Sequence, residues 1–121
     1  MTNEEIIKLY NTLEYLNSDT NLKFSIKIGY AFAKNLEILK PEVKIISDLR
    51  HQIIKDFGIP GDNGDIIIPK ERLDEFNEKL HELMGMENNT KIYLVPIEAF
   101  DDFPDKLSLK DINGLSAMIT V

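Results

Sequence analysis

The sequence predicts a single α+β domain that is predominantly α-helical. Three observations predict it: an apolar pattern of helical period that fills residues 22–57, further helical patterns on either side of that segment, and two short apolar runs that each end at a proline. The chain has 121 residues and shows neither an internal repeat nor a linker. A chain of this size can bury a core of its own, which suits one domain.

The central segment, residues 22–57, fits a helix better than a strand. Residues 22–32 alternate as in a half-buried strand, but only the helical period continues beyond Phe32. Gly29 inside a helix costs only about 1 kcal/mol. On this helix Ile26 and Tyr30 lie off the apolar face, which makes them candidates for contact with a partner protein. The nine residues that share the apolar face are Phe24, Ile28, Phe32, Leu39, Val43, Ile46, Leu49, Ile53 and Phe57.

The length of this helix constrains its surroundings. About 35 helical residues would extend roughly 50 Å, whereas a compact chain of this size is roughly 35 Å across. We therefore expect either that the helix is bent or broken near Pro41, or that its overhanging part packs on another subunit of a homo-oligomer. A separate helix over residues 41–56, with Pro41 in its first turn, is a third interpretation.

Both ends of the chain carry helix signals. Thr2 and Asn3 are suited to cap an N-terminal helix that ends near Asn17. Near the other end, Ser108 and Asp111 are spaced as in a capping box, with Asp in place of the usual Glu. This pair precedes a tail with helical spacing at Ile112, Leu115 and Met118.

A third helix is predicted between two short strands. It follows Pro69, which suits a first helical turn, and ends at Gly85. Residues 65–68 and 91–95 are rich in β-branched and aromatic side chains and are predicted to be the strands. If the two strands are neighbours, a right-handed crossover makes them parallel, whereas a long loop would make them antiparallel.

Composition limits the chemistry of the protein. There is no cysteine, which excludes a disulfide scaffold, thiolate metal sites and cysteine nucleophiles. The net charge is −7, yet residues 23–56 carry seven basic against four acidic side chains. Glu4 and Glu5 stand where a secretory signal would be basic, and no run is long enough to span a membrane. We expect a soluble protein that is not exported by a signal of its own and that has no membrane partner.

No motif in the chain predicts catalysis or the binding of a metal or cofactor. His81 and Glu82 begin like a zinc-protease helix, but Gly85 stands where the second histidine is required. A loop beginning at Asp62 resembles a calcium loop, but Leu73 stands where a bidentate glutamate is required. The glycines of that loop are not followed by the Gly-Lys-Ser/Thr of a phosphate-binding loop. An enzyme is therefore the least favoured class.

The remaining signals are exposed apolar and basic side chains. Phe100 and Phe103 stand among aspartates, and they either fasten the C-terminal segment to the core or, with Ile26 and Tyr30, anchor a protein partner. A stripe of lysines on the central segment is a candidate anion contact, although the acidity of the whole chain argues against nucleic acid. These lysines are Lys23, Lys27 and Lys34.

An ordered series of short motifs covers nearly the whole chain. They are FSIKIGYAFAKNL at 24–36, PEV at 41–43, DFG at 56–58, DNG at 62–64, DEFN at 74–77 and IYLVPI at 92–97. The series resembles a family of small proteins of unknown function from bacteriophages and prophages of Gram-positive bacteria. The resemblance implies a phage origin and a compact, mainly helical protein, and it assigns no catalytic or binding residue.

Three functional hypotheses follow. The first is a noncatalytic phage accessory protein that acts through protein contacts in particle assembly or as a virion component, as a homo-oligomer. The second is a counter-defence protein that binds and inhibits a host immune effector. The third is a sponge for a nucleotide signal that uses the three lysines.

Overall fold

The computed structural model describes residues 1–18, 23–100 and 109–120. Within these residues the chain is predominantly helical with two small sheets, which confirms the predicted α+β class. The helices are α1 (Asn3–Ser18), α2 (Ile26–Phe57), α3 (Leu73–Gly85) and α4 (Leu109–Leu115). The strands are β1 (Ile59–Pro60), β2 (Ile66–Ile67), β3 (Val95–Pro96) and β4 (Ile119–Thr120). Short 3₁₀ helices span Lys70–Arg72, Ile97–Phe100 and Ser116–Met118.

Helix α2 confirms the helical interpretation of the central segment. The Ser25 hydroxyl caps its first turn by accepting a hydrogen bond from the Ile28 N–H at 3.3 Å. The helix is not broken at Pro41 and runs on to Phe57. Because proline has no N–H, the Glu37 carbonyl lacks its helical donor. Glu37 and Pro41 are both exposed, so water can reach this gap in the helical ladder.

The two halves of α2 are covered by different elements of the same chain. Helix α1 packs beside the first half and the middle of α2, where Tyr10 lines pockets together with Leu36 and Val43. Helix α3 packs beside the second half, where the Phe57 and Phe76 rings lie 6.1 Å apart. The length of α2 therefore does not by itself require a second subunit.

The core lies between α1 and α2 and is completed by single side chains from α3, β3, α4 and the 3₁₀ helix Ser116–Met118. Its buried side chains recur at helical spacing in α1 and α2, because those two helices each turn one apolar stripe inward. The buried members are Ile6, Leu9, Leu13, Leu16, Ile28, Ala31, Phe32, Leu39, Ile46, Leu83, Val95, Leu115 and Met118.

The predicted strand at 65–68 is confirmed as β2, whereas only Val95 of the predicted strand at 91–95 lies in a strand, β3. The two strands are not neighbours, so the condition for their pairing is not met. β2 pairs antiparallel with β1, joining Ile59 to Ile67, and β3 pairs in parallel with β4, joining Val95 to Ile119. The sequence at 59–64 is dense in Gly, Pro, Asn and Asp, a composition typical of a loop, although its first two residues form β1. Such short strands carry no alternation that could reveal them.

The N-terminus is tied to the end of α3. Thr2 and Glu5 form a capping box, in which the Thr2 hydroxyl accepts from the Glu5 N–H at 3.2 Å and the Glu5 carboxylate accepts from the Thr2 N–H at 3.1 Å. The buried Asn3 side chain donates to the Leu83 carbonyl at 2.8 Å and accepts from Asn88 at 2.9 Å. The predicted cap is confirmed, and Asn3 acts as a tertiary link rather than as the cap.

Replacing Glu5 with glutamine should make stability less dependent on pH. Hydrogen bonds from Thr2 lower the pKa of the Glu5 carboxyl. A lowered folded-state pKa stabilises the protein at neutral pH, and that contribution is lost as the pH falls through the folded pKa. In urea unfolding at several pH values, the difference between wild type and Glu5→Gln should narrow as the pH falls. Glu4→Gln is the control, and an equal narrowing there would contradict the role of the capping box.

Gly114→Ala should destabilise the protein although alanine favours helix. A Cβ at Gly114 would clash with the Thr12 side chain of α1. Helix propensity alone predicts a gain of about 1 kcal/mol, whereas an overfilled contact predicts a loss of about 1–3 kcal/mol. Chemical denaturation should show the loss, and Thr12→Ala in the same chain should reduce it. A stabilised Gly114→Ala would show that α4 does not lie so close to α1.

Candidate functional site

The two histidines and the loop beginning at Asp62 do not come together in a site. His51 and His81 are both exposed, and the described part of the chain holds no cluster of three His, Asp or Glu side chains able to bind a metal. The loop beginning at Asp62 closes the β1–β2 hairpin, where Gly64 adopts a φ of 80°. A positive φ is readily adopted only by glycine, so this glycine serves the turn.

A groove runs between the second half of α2 and helix α3. Its floor is made by the buried side chains of Ile46 and Leu83. Its walls are three side chains that remain about half exposed: Ile45 at 55%, Leu49 at 48% and Met86 at 54%. We call this surface the α2/α3 groove. At one end it is continued by Gln52, Ile53, Lys79 and Glu82, and at the other by Glu42, Glu87, Asn88 and Asn89.

Local sequence explains why the groove stays open. Helix α3 ends at Gly85, and Met86 follows in an extended conformation with φ −62° and ψ 134°. No further helical turn of α3 therefore covers the Met86 side chain. The chain then crosses to the N-terminus, where the Asn88 N–H donates to the Met1 carbonyl at 2.7 Å. Asn88 also donates to the Glu42 carboxylate at 3.4 Å, which fixes that end of the groove to α2.

The rims of the α2/α3 groove are predominantly acidic. Glu42, Glu82 and Glu87 line it, and exposed Glu75 and Glu78 lie on α3 in the turns that lead to Glu82. Lys79 is the cation among the lining residues, and it approaches Glu82 at 3.8 Å. A second cation reaches the rim, because the N-terminal ammonium of Met1 lies 3.0 Å from the Glu87 carboxylate. The groove therefore combines apolar walls with a rim on which three glutamates outnumber two cations.

A second surface lies at the start of α2 and includes two of the predicted partner contacts. Ile26 is 92% exposed, and Tyr30, one turn further on, is 56% exposed. The Tyr30 ring packs edge-on against Tyr93, with ring centroids 5.6 Å apart. We call Ile26, Tyr30 and Tyr93 together the N-terminal patch. The structure thus places an unusually exposed aliphatic side chain beside a supported aromatic pair.

The predicted lysine stripe borders the N-terminal patch. Lys27 and Lys34 lie on α2 two turns apart, on the side of the helix that carries Tyr30, and Lys23 precedes the cap at Ser25. All three lysines are exposed, and no carboxylate of the described residues lies within 4.0 Å of their ammonium groups. The border of the patch is therefore positively charged.

Of the two phenylalanines predicted as partner anchors, the structure describes Phe100. Phe100 ends the 3₁₀ helix Ile97–Phe100 and packs, partly buried, against the core. This position favours the alternative that it fastens the C-terminal segment to its own domain. Phe103 lies outside the described residues, as do Ser108 of the predicted capping box and Leu22 of the central segment.

Sequence reasoning missed the groove because its walls come from two distant segments. Ile45 lies off the nine-residue apolar face, as Ile26 and Tyr30 do. Within α2, its position was the one sign in the sequence of an apolar surface at the groove. Leu49 was assigned to the core face, and Met86 follows the predicted end of a helix. Nothing in the sequence indicates which side of α2 receives α3.

Comparison of this chain with protein-family models, with curated proteins and with solved structures finds no match. In the described part of the chain, none of the helices combines the length and the apolar character needed to cross a membrane.

The N-terminal patch depends on a buried amide in α2. Asn35 is fully buried; its amide N–H donates to the Tyr93 carbonyl at 2.9 Å and its carbonyl accepts from the Tyr93 N–H at 2.6 Å. Asn35→Ala should lower the free energy of unfolding by about 2–4 kcal/mol, because two hydrogen bonds are lost and the Tyr93 backbone is left unpaired. Urea unfolding measures this, with exposed Asn11→Ala as the control. A loss equal to that of the control would contradict the role of Asn35.

Proposed function

We propose that this chain is a small noncatalytic phage accessory protein that acts by binding another protein through the α2/α3 groove. The single observation that carries the proposal is the open groove with half-exposed Ile45, Leu49 and Met86 above a buried floor. The resemblance of the motif series to phage and prophage proteins supports the phage setting. The host cytoplasm, and the virion for a particle component, are the corresponding locations.

The physics of the groove suits protein recognition. Contiguous exposed apolar surface with a polar rim is typical of interaction sites. A groove between two helices accepts the apolar face of a third helix, which presents side chains three or four residues apart. Met86 can adapt to different partner shapes because its side chain is unbranched and flexible. Burial of Leu49 and Ile45 would supply most of the binding energy, as central apolar anchors do.

The acidic rim favours a partner with basic residues beside its apolar ones. If the protein acts in particle assembly, that partner is a structural protein of the particle. The same acidity supports a second candidate function, in which the protein binds and blocks a host defence effector. The identity of the bound protein decides between the two.

Site-specific photo-crosslinking tests the proposal. Leu49 is replaced by p-benzoylphenylalanine, and host cells producing the phage are irradiated. We expect a discrete crosslinked product whose partner mass spectrometry identifies. A phage structural protein in the product, this chain included, supports a role in assembly, whereas a host defence protein supports the second candidate.

A matched position supplies the control. Tyr15 on α1 is 59% exposed and lies away from the groove, so the same crosslinker there should give no such product. Met86→Glu should suppress the product formed from position 49, since it places a charge in the wall of the groove. If position 49 crosslinks no more specifically than position 15, the groove is not a binding site and the proposal fails.

A further inference from the structure

We infer that the α2/α3 groove of one copy receives the N-terminal patch of a second copy of this chain. The inference rests on the proposed function, because it names the occupant of the groove for which a protein partner was proposed. It also explains why one chain carries two exposed apolar surfaces with opposite charge around them.

The apolar parts of the two surfaces are complementary in spacing. Ile26 and Tyr30 stand one helical turn apart, and so do Ile45 and Leu49. Ile26 is 92% exposed, so nearly all of its side chain is available for burial. Tyr93 holds the Tyr30 ring in place, which limits the loss of side-chain freedom on binding.

The charged parts are complementary in sign. Lys23, Lys27 and Lys34 border the patch and lack ion partners among the described residues. The carboxylates that line the groove are Glu42, Glu82 and Glu87. Glu82 faces Lys79 and Glu87 faces the N-terminal ammonium, and the exposed Glu75 and Glu78 add negative charge on α3 nearby. Opposite charges attract each other when the basic patch sits in the acidic groove. Like charges repel each other in the two other pairings, patch to patch and groove to groove, which disfavours both.

One copy cannot satisfy its own groove. Ile26 and Leu49 belong to the same uninterrupted helix. The 23 helical steps from Ile26 to Leu49 correspond to about 35 Å along the axis. The contact must therefore form between copies, and because patch and groove are different surfaces, each copy can give one and receive the other.

The test uses two variants that each lose one surface. Ile26→Glu destroys the patch and keeps the groove, whereas Leu49→Glu destroys the groove and keeps the patch. Analytical ultracentrifugation over a concentration series should show that wild type self-associates and that each variant alone associates at least about tenfold more weakly. An equimolar mixture of the two variants should form a dimer, because one intact patch meets one intact groove. Raising the salt concentration should weaken both wild-type and mixed association.

Controls separate loss of contact from loss of fold. Tyr15→Glu changes a similarly exposed side chain and should associate like wild type. Circular dichroism reports whether each variant is folded, and Ile45→Glu replaces Leu49→Glu if the latter unfolds. Wild type that stays monomeric at every concentration, or folded variants whose mixture stays monomeric, would overturn the inference. A monomeric wild type that still crosslinks another protein from position 49 would overturn the inference and leave the proposed function standing.

Discussion

The pairing of the Asn35 amide with the backbone of Tyr93 is the contact on which one end of the molecule depends. A single side chain supplies both hydrogen bonds that a neighbouring strand would give. The backbone of Tyr93 is therefore held on α2 without a strand partner, and Val95, two residues on, is buried in the core. Since an unpaired buried amide costs about 1–3 kcal/mol, this contact also selects one register of the segment against its alternatives.

A second polar contact fixes the opposite end of the fold. Asn3 joins α1 to the end of α3, and Asn88 extends this link to Glu42 on α2. Between the two asparagine contacts the core is apolar, and within the described residues no buried side-chain nitrogen or oxygen lacks a hydrogen-bond partner. Apolar burial supplies the stability, while two buried asparagines decide how the helices are aligned.

The sequence predicts the helices well because their apolar residues repeat with a helical period over many turns. The choice of helix over strand for the central segment followed from the phase that Leu39, Ile46 and Phe57 share with Phe32. Strand pairing was not predictable, because β1 and β4 have two residues each and carry no period. The patch was predictable in part, since Ile26 and Tyr30 break the phase of α2, whereas the groove depends on the side from which α3 approaches.

The elements that pack on α2 change what its length implies for the surface of the protein. Both α1 and α3 pack on α2, so most of its apolar face is covered within one chain, while Ile45 and Leu49 stay about half exposed. The length of α2 separates the N-terminal patch from the α2/α3 groove by about 35 Å, which is more than any side chain can bridge. The lysines at one end and the glutamates at the other therefore cannot neutralise each other within one chain. A partner with both apolar and basic groups therefore complements the groove better than any part of the same chain can.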